Sequence, residues 1–167
     1  MIHRWLLSFG LVSLLLVVQS TWLGSIAVQS VIPDLSLLAI VYIAFKSPDL
    51  QGQGIGFATG LLQDGMSAAP FGLNAFIKTS VAWLANILSG KFYIDRILMP
   101  AIFGFVATIA KAVYLLLLSA FFSGKVFSYD FFSAGLWIEA AYNAVVAPVL
   151  FLLLSPLDRF IIPADKH

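Results

Sequence analysis

The sequence contains no cysteine, and its two histidines, His3 and His167, stand at the chain ends. The first absence removes disulfides, thiolate metal sites and cysteine nucleophiles. The second leaves no Ser–His–Asp arrangement and no His-Glu-x-x-His zinc pattern. Charge is also scarce. Asp, Glu, Lys and Arg together make up 10% of the chain, against about 25% in soluble domains. Nine Lys and Arg face eight Asp and Glu, so no basic field exists to attract nucleic acid. A phosphate-cradling Gly-Lys-Ser/Thr turn is missing, because Phe92 follows Gly90-Lys91. No Asn stands three residues before an Asp, which removes the Asn-x-x-Asp signature of intramembrane aspartyl proteases of the lipoprotein signal peptidase type. No enzyme activity, cofactor or metal is expected from these residues.

Apolar surface is what the chain has in abundance. Hydrophobic residues make up 61% of its 167 residues and the mean hydropathy is +1.01. A water-soluble fold of this size cannot bury that much, so lipid is the expected solvent. Alternating ten-residue segments of the β-barrel kind are absent. The expectation is one all-α polytopic domain over residues 1–167, with about six spans near 5–23, 31–46, 52–68, 72–90, 97–122 and 132–154. The second and third are short for a bilayer that takes about 20 residues per helix. Pro33, Pro48, Pro70, Pro100 and Pro156 fall at or near span ends, and Pro148 inside the sixth span predicts a kink. Arg4, Lys46, Lys91, Arg96, Arg159 and Lys166 fall on one side of this pattern and only Lys125 on the other. The positive-inside rule then places both termini in the cytoplasm.

Gly52, Gly56 and Gly60 repeat at a spacing of four, and Asp64 continues the row. Residues four apart share a helix face, and glycines there let a neighbouring backbone approach. The row reads as an intramolecular packing face, with a homodimer face as its rival. Gly104, Ala107 and Lys111 line one face of the fifth run; Gly135, Glu139 and Asn143 line one face of the sixth.

Charges inside a span need a reason. The candidates are Asp34, Asp64, Lys78, Lys111 and Glu139. The topology puts Asp34 and Asp64 near the outer face, Lys78 and Glu139 roughly 9 Å inside it, and Lys111 near mid-membrane. Lys78 is expected to pair with Asp34 or Asp64, and Lys111 with Glu139. A structural ion network is one reading; a ligand or proton cavity and a partner-binding groove are the others. Asp34, directly after Pro33, suits a helix N-cap, and Asn74 after Gly72 suits a second one.

Three ordered segments resemble one family. They are Gln19-Ser20-Thr21 followed by Ile32-Pro33-Asp34-Leu35-Ser36-Leu37-Leu38-Ala39-Ile40-Val41-Tyr42, then Gly56-Phe57-Ala58-Thr59-Gly60-Leu61-Leu62-Gln63-Asp64, then Pro70-Phe71-Gly72-Leu73-Asn74-Ala75. They are similar to the Gln…Pro-Asp-Leu helix and to the Gly-x-x-x-Gly-Leu-x-x-Asp and Pro-x-Gly-x-Asn signatures of MreD, the bacterial rod-shape-determining membrane protein. Together they cover about a third of the chain. Ser36 and Gln63 stand where that family tends to be apolar, and Lys78 and Lys111 are unusual for it. The resemblance implies a non-enzymatic scaffold of the elongation complex in the bacterial inner membrane. MreC is then the direct partner, and MreB, RodA and a class B penicillin-binding transpeptidase belong to the same assembly. It also implies a fold similar to the substrate-binding component of energy-coupling-factor transporters. The alternative function is therefore a small-molecule-binding subunit of a transporter.

Overall fold

The computed structural model describes residues 2–47, 49–89, 97–121 and 130–162. Pro48, Lys91, Arg96, Lys125 and Lys166 lie outside the described residues, as do the expected span ends at Gly90 and Phe122. Six longer helices follow one another: α1 (Ile2–Thr21), α2 (Leu35–Lys46), α3 (Gln51–Met66), α4 (Leu73–Leu88), α5 (Leu98–Phe121) and α6 (Ala134–Leu154). A 3-10 turn over Ser155–Leu157 leads into a last short helix, α7 (Asp158–Ile161). Among the described residues there is no strand, only an isolated bridge between Val28 and Val31. The fold is all-helical.

The shortest of the six helices is the centre. Twelve residues make α2 about 18 Å long. Its residues are apolar on every side, a composition that suits a helix enclosed all round. From Ser36 to Phe45 none is more than 5% exposed. It touches α1, α3, α4, α5 and α6. By contrast α1 buries a single stripe, Ser8, Val12, Leu16 and Gln19, at spacings of four, four and three. Ile2, Leu6, Leu7, Leu14 and Val17 on α1, like Leu116, Leu117, Leu152 and Leu153 on α5 and α6, are exposed.

The apolar run begins at Val31, but the helix begins at Leu35. Pro33 biases Ile32 to extended backbone, and Asp34 caps the helix. Ahead of them a tight turn brings Val28 and Val31 together, with Gln29 and Ser30 at φ 50° and 65°. Pro148 sits inside α6, and the helix continues through it to Leu154.

The helices α1, α5 and the stretch Ala134–Ile161 are long and apolar enough to cross a membrane, and α2 and α4 are shorter apolar helices. One end of the bundle gathers charge and polar side chains. Tyr42 Oη donates to Asp158 Oδ1 at 2.5 Å, and Lys46 pairs with the same carboxylate. Gln51 Nε2 donates to Ser8 Oγ and to the Ile161 carbonyl, both at 2.9 Å. These bonds tie α7 back onto α1, α2 and α3.

Candidate functional site

At the other end of α2, polar groups from five helices converge. Asp34 caps the helix by accepting from the Leu37 N–H at 3.0 Å. The same oxygen accepts from Ser36 Oγ at 2.9 Å. The second oxygen of Asp34 meets Lys111 Nζ of α5 at 3.1 Å, and Lys111 also reaches Glu139 Oε1 of α6 at 2.5 Å. From α4, Lys78 Nζ donates to Ser36 Oγ at 2.6 Å. The Ser36 N–H donates to Gln19 Oε1 of α1 at 3.2 Å, and the Asp34 N–H to Asn143 Oδ1 of α6 at 2.8 Å. Asn143 in turn donates to Thr108 Oγ1 of α5 at 2.8 Å, and Thr108 donates to the Gly104 carbonyl.

The geometry balances two positive against two negative groups. Lys78 is 2% exposed and Asp34 is 5% exposed, so neither charge can turn to bulk water, and each needs partners inside the bundle. Lys78 does not bond a carboxylate directly. Ser36 stands between it and Asp34, donating to one and accepting from the other. Asp34 meets Lys111, so the first turn of α2 packs against α5 about 20 Å along that helix from Leu98.

Asp64 lies apart from this network. It accepts from the N–H groups of Gly72, Asn74 and Ala75 at 2.9, 2.9 and 3.2 Å, and from Asn74 Nδ2 at 2.8 Å. The acceptor that satisfies the first turn of α4 therefore comes from the end of α3. Asn74, expected as a cap, is already inside α4 and its side chain acts as a donor to Asp64. Gly72 precedes the helix at φ 94°, a conformation glycine adopts without strain. Asp64→Asn would set an amide NH2 against a ring of donors. Thermal unfolding of the purified protein in detergent should register a loss of about 1–3 kcal/mol, the penalty for stranding buried donors.

The glycine row faces neighbours within the chain. A Cβ at Gly52 would collide with Ala44 of α2, and one at Gly60 with the backbone of Ala75 on α4. At Gly56 it would come within 3.1 Å of the Lys78 carbonyl. Gly104 is tighter than the sequence indicated, since a Cβ there would lie 2.5 Å from the Asn143 carbonyl. A Cβ at Gly135 would meet Val31 Cγ2 at an ordinary contact distance of 3.7 Å. Pro33 is buried just ahead of the cap.

Some participants were not visible as site residues. Thr108 carries no sequence signal beyond being a hydroxyl one turn after Gly104. Gln51 belongs to no motif or spacing in the sequence. The Tyr42–Lys46–Asp158 group joins residues more than a hundred positions apart. Among the described residues no group of His, Asp and Glu is placed to hold a metal ion.

The comparison with curated proteins and the comparison with solved structures return no match. The family model described as rod shape-determining protein MreD matches residues 1–157, a stretch that takes in every helix of the network and the Asp64 cap. The chain belongs to the MreD family.

Proposed function

We propose that this chain is a multi-pass protein of the bacterial inner membrane that binds MreC and organises lateral peptidoglycan synthesis as a non-enzymatic scaffold. Family membership carries a role in rod-shape determination. On this reading the six spans near 5–23, 31–46, 52–68, 72–90, 97–122 and 132–154 form one domain with both termini in the cytoplasm. MreB, RodA and the class B penicillin-binding transpeptidase are members of the same assembly.

The single observation that favours a scaffold over a ligand-binding subunit is the occupancy of the polar interior. Both oxygens of Asp34 and both of Asp64 already accept bonds from groups of the same chain. Pro33, Asp34, Asp64, Gly72, Asn74, Lys78, Lys111 and Glu139 then serve to fix the helices, and Gly52, Gly56 and Gly60 to let α2 and α4 come close. The glycine row needs no second copy of the chain to cover it.

Affinity purification of the tagged protein in mild detergent, followed by mass spectrometry, tests the reading. Recovery of MreC is the expected result. Recovery of paired ATPase subunits with a coupling membrane protein would instead make the chain a transporter component. A reporter active only in the periplasm, fused after His167, should be silent; strong activity would reverse the proposed orientation.

A further inference from the structure

The helices around α2 differ in height. Both α3 and α4 have 16 residues, a rise of about 24 Å, whereas the 24 residues of α5 rise about 36 Å. Around α2, α4 stands between α3 and α5, so the short pair forms one flank of the bundle and α5 with α6 another. The outward surface of the short flank is apolar. The exposed positions on α3 are Phe57, Leu62, Gly65 and Met66, and those on α4 are Phe76, Trp83 and Ile87. Gln51, Gln53, Thr59 and Asp64 of α3 are buried instead. A helix with its polar side chains turned into the bundle and its apolar ones turned out matches hydrocarbon as its surroundings.

We propose that the chain thins the bilayer beside α3 and α4, so that this flank gathers lipids with shorter acyl chains than the flank of α5. This rests on the reading that all six helices cross the membrane, and is independent of the partner proposed above. A bilayer core of about 30 Å exceeds the rise of the short pair by about 6 Å. A helix longer than the core, such as α5, can tilt, but tilting a short one only widens the gap. A short helix is left with snorkelling, self-association or a thinner bilayer. Snorkelling needs a long cationic side chain at the helix ends, and residues 47–77 contain neither Lys nor Arg. Close self-association needs small residues turned outward. Gly52, Gly54, Gly56 and Gly60 already face Ala44, Trp5, Lys78 and Ala75 of the same chain. Nor can the pair sink. Residues 67–72 between the two helices are irregular backbone, which hydrocarbon does not satisfy, and Asp49 stands just ahead of α3. The bilayer is the part that gives.

A chain without cysteine accepts single reporters against a clean background. Phe57→Cys on α3 and Trp83→Cys on α4 read the short flank; Val106→Cys and Val113→Cys on α5 read the long one, and all four positions are exposed. Each full-length variant is labelled with bimane and reconstituted in mixed short-chain and long-chain phosphatidylcholines, one of the two brominated at its double bond. Quenching at Phe57→Cys and Trp83→Cys should favour the brominated short-chain lipid about twofold, and the two α5 reporters should show no such preference. Two positions on each flank keep the test open should one variant not fold. Equal quenching by both lipids on the short flank overturns the proposal, as does the same short-chain preference at all four positions. No quenching by either lipid on the short flank would mean that a second copy covers it, and overturns the proposal too. Lipids brominated at different depths separate the two failures. A Phe57→Cys reporter quenched best at the headgroup level sinks the spanning reading, whereas one quenched best near the chain ends, without a lipid preference, sinks only the thinning.

Discussion

Lys111→Ala should destabilise the bundle by about 3–5 kcal/mol, the usual result of removing one member of a buried ion pair. The loss has two parts, because Lys111 serves both Asp34 and Glu139. Glu139 is left without its cation. Asp34 keeps its bonds to Leu37 and Ser36, and through Ser36 it still faces Lys78. The double change Lys111→Met with Glu139→Gln should therefore recover part of the loss, since the more dependent carboxylate leaves together with the lysine. Recovery should stay incomplete, because Asp34 remains charged. Unfolding of the purified single and double variants in detergent gives the coupling. A double variant as unstable as the sum of the two singles would refute the pairing.

A methyl group added at Gly60 should cost more than one added at Gly10, although both glycines are helical. A Cβ at Gly60 would run into the backbone of Ala75, which cannot swing aside as a side-chain tip can. Separating α3 from α4 also pulls on the Asp64 bonds that cap α4. Gly60→Ala is expected to lose about 1–3 kcal/mol, the range for overpacking. At Gly10 nothing lies within 4 Å, so Gly10→Ala should stabilise, by up to about 1 kcal/mol from helix propensity. Thermal unfolding of the two variants side by side reads the difference. Equal effects would mean that α3 and α4 are not held at this distance.

Hydropathy alone located the helical runs, because apolar stretches bounded by Pro, Gly and charge are a one-dimensional signal. It does not say which helix lies inside. The run Val31–Phe45 looked like a weak, short span, yet α2 is the most enclosed helix of the fold. Its cap residue Asp34 meets Lys111 of α5. Ser36 was legible as a polar departure in an apolar helix, but its place between Lys78 and Asp34 depends on how α4 packs, which no spacing in the chain encodes. Asn74 was marked as a cap near a helix start, and Asp64 as the polar end of the glycine row. Which one accepts was decided by where α4 begins, and helix boundaries are uncertain by a residue or two from sequence. The Lys46–Asp158 pair was out of reach for a different reason, since it closes a loop of more than a hundred residues.

The central claim is that the buried charges hold the helices together and do not themselves carry the activity. A chain with Asp34→Asn, Lys78→Met, Lys111→Met and Glu139→Gln loses two positive and two negative groups at once, leaving no buried charge unpaired at the network. Replacing buried ions by apolar or neutral groups of similar size is often tolerated. The decisive measurement is the cell aspect ratio when this variant replaces the wild type at matched membrane abundance. Rod shape at the wild-type ratio is the predicted result. Round cells, with the variant folded and present in the membrane at the wild-type level, would contradict the account and assign the charges a direct part in function.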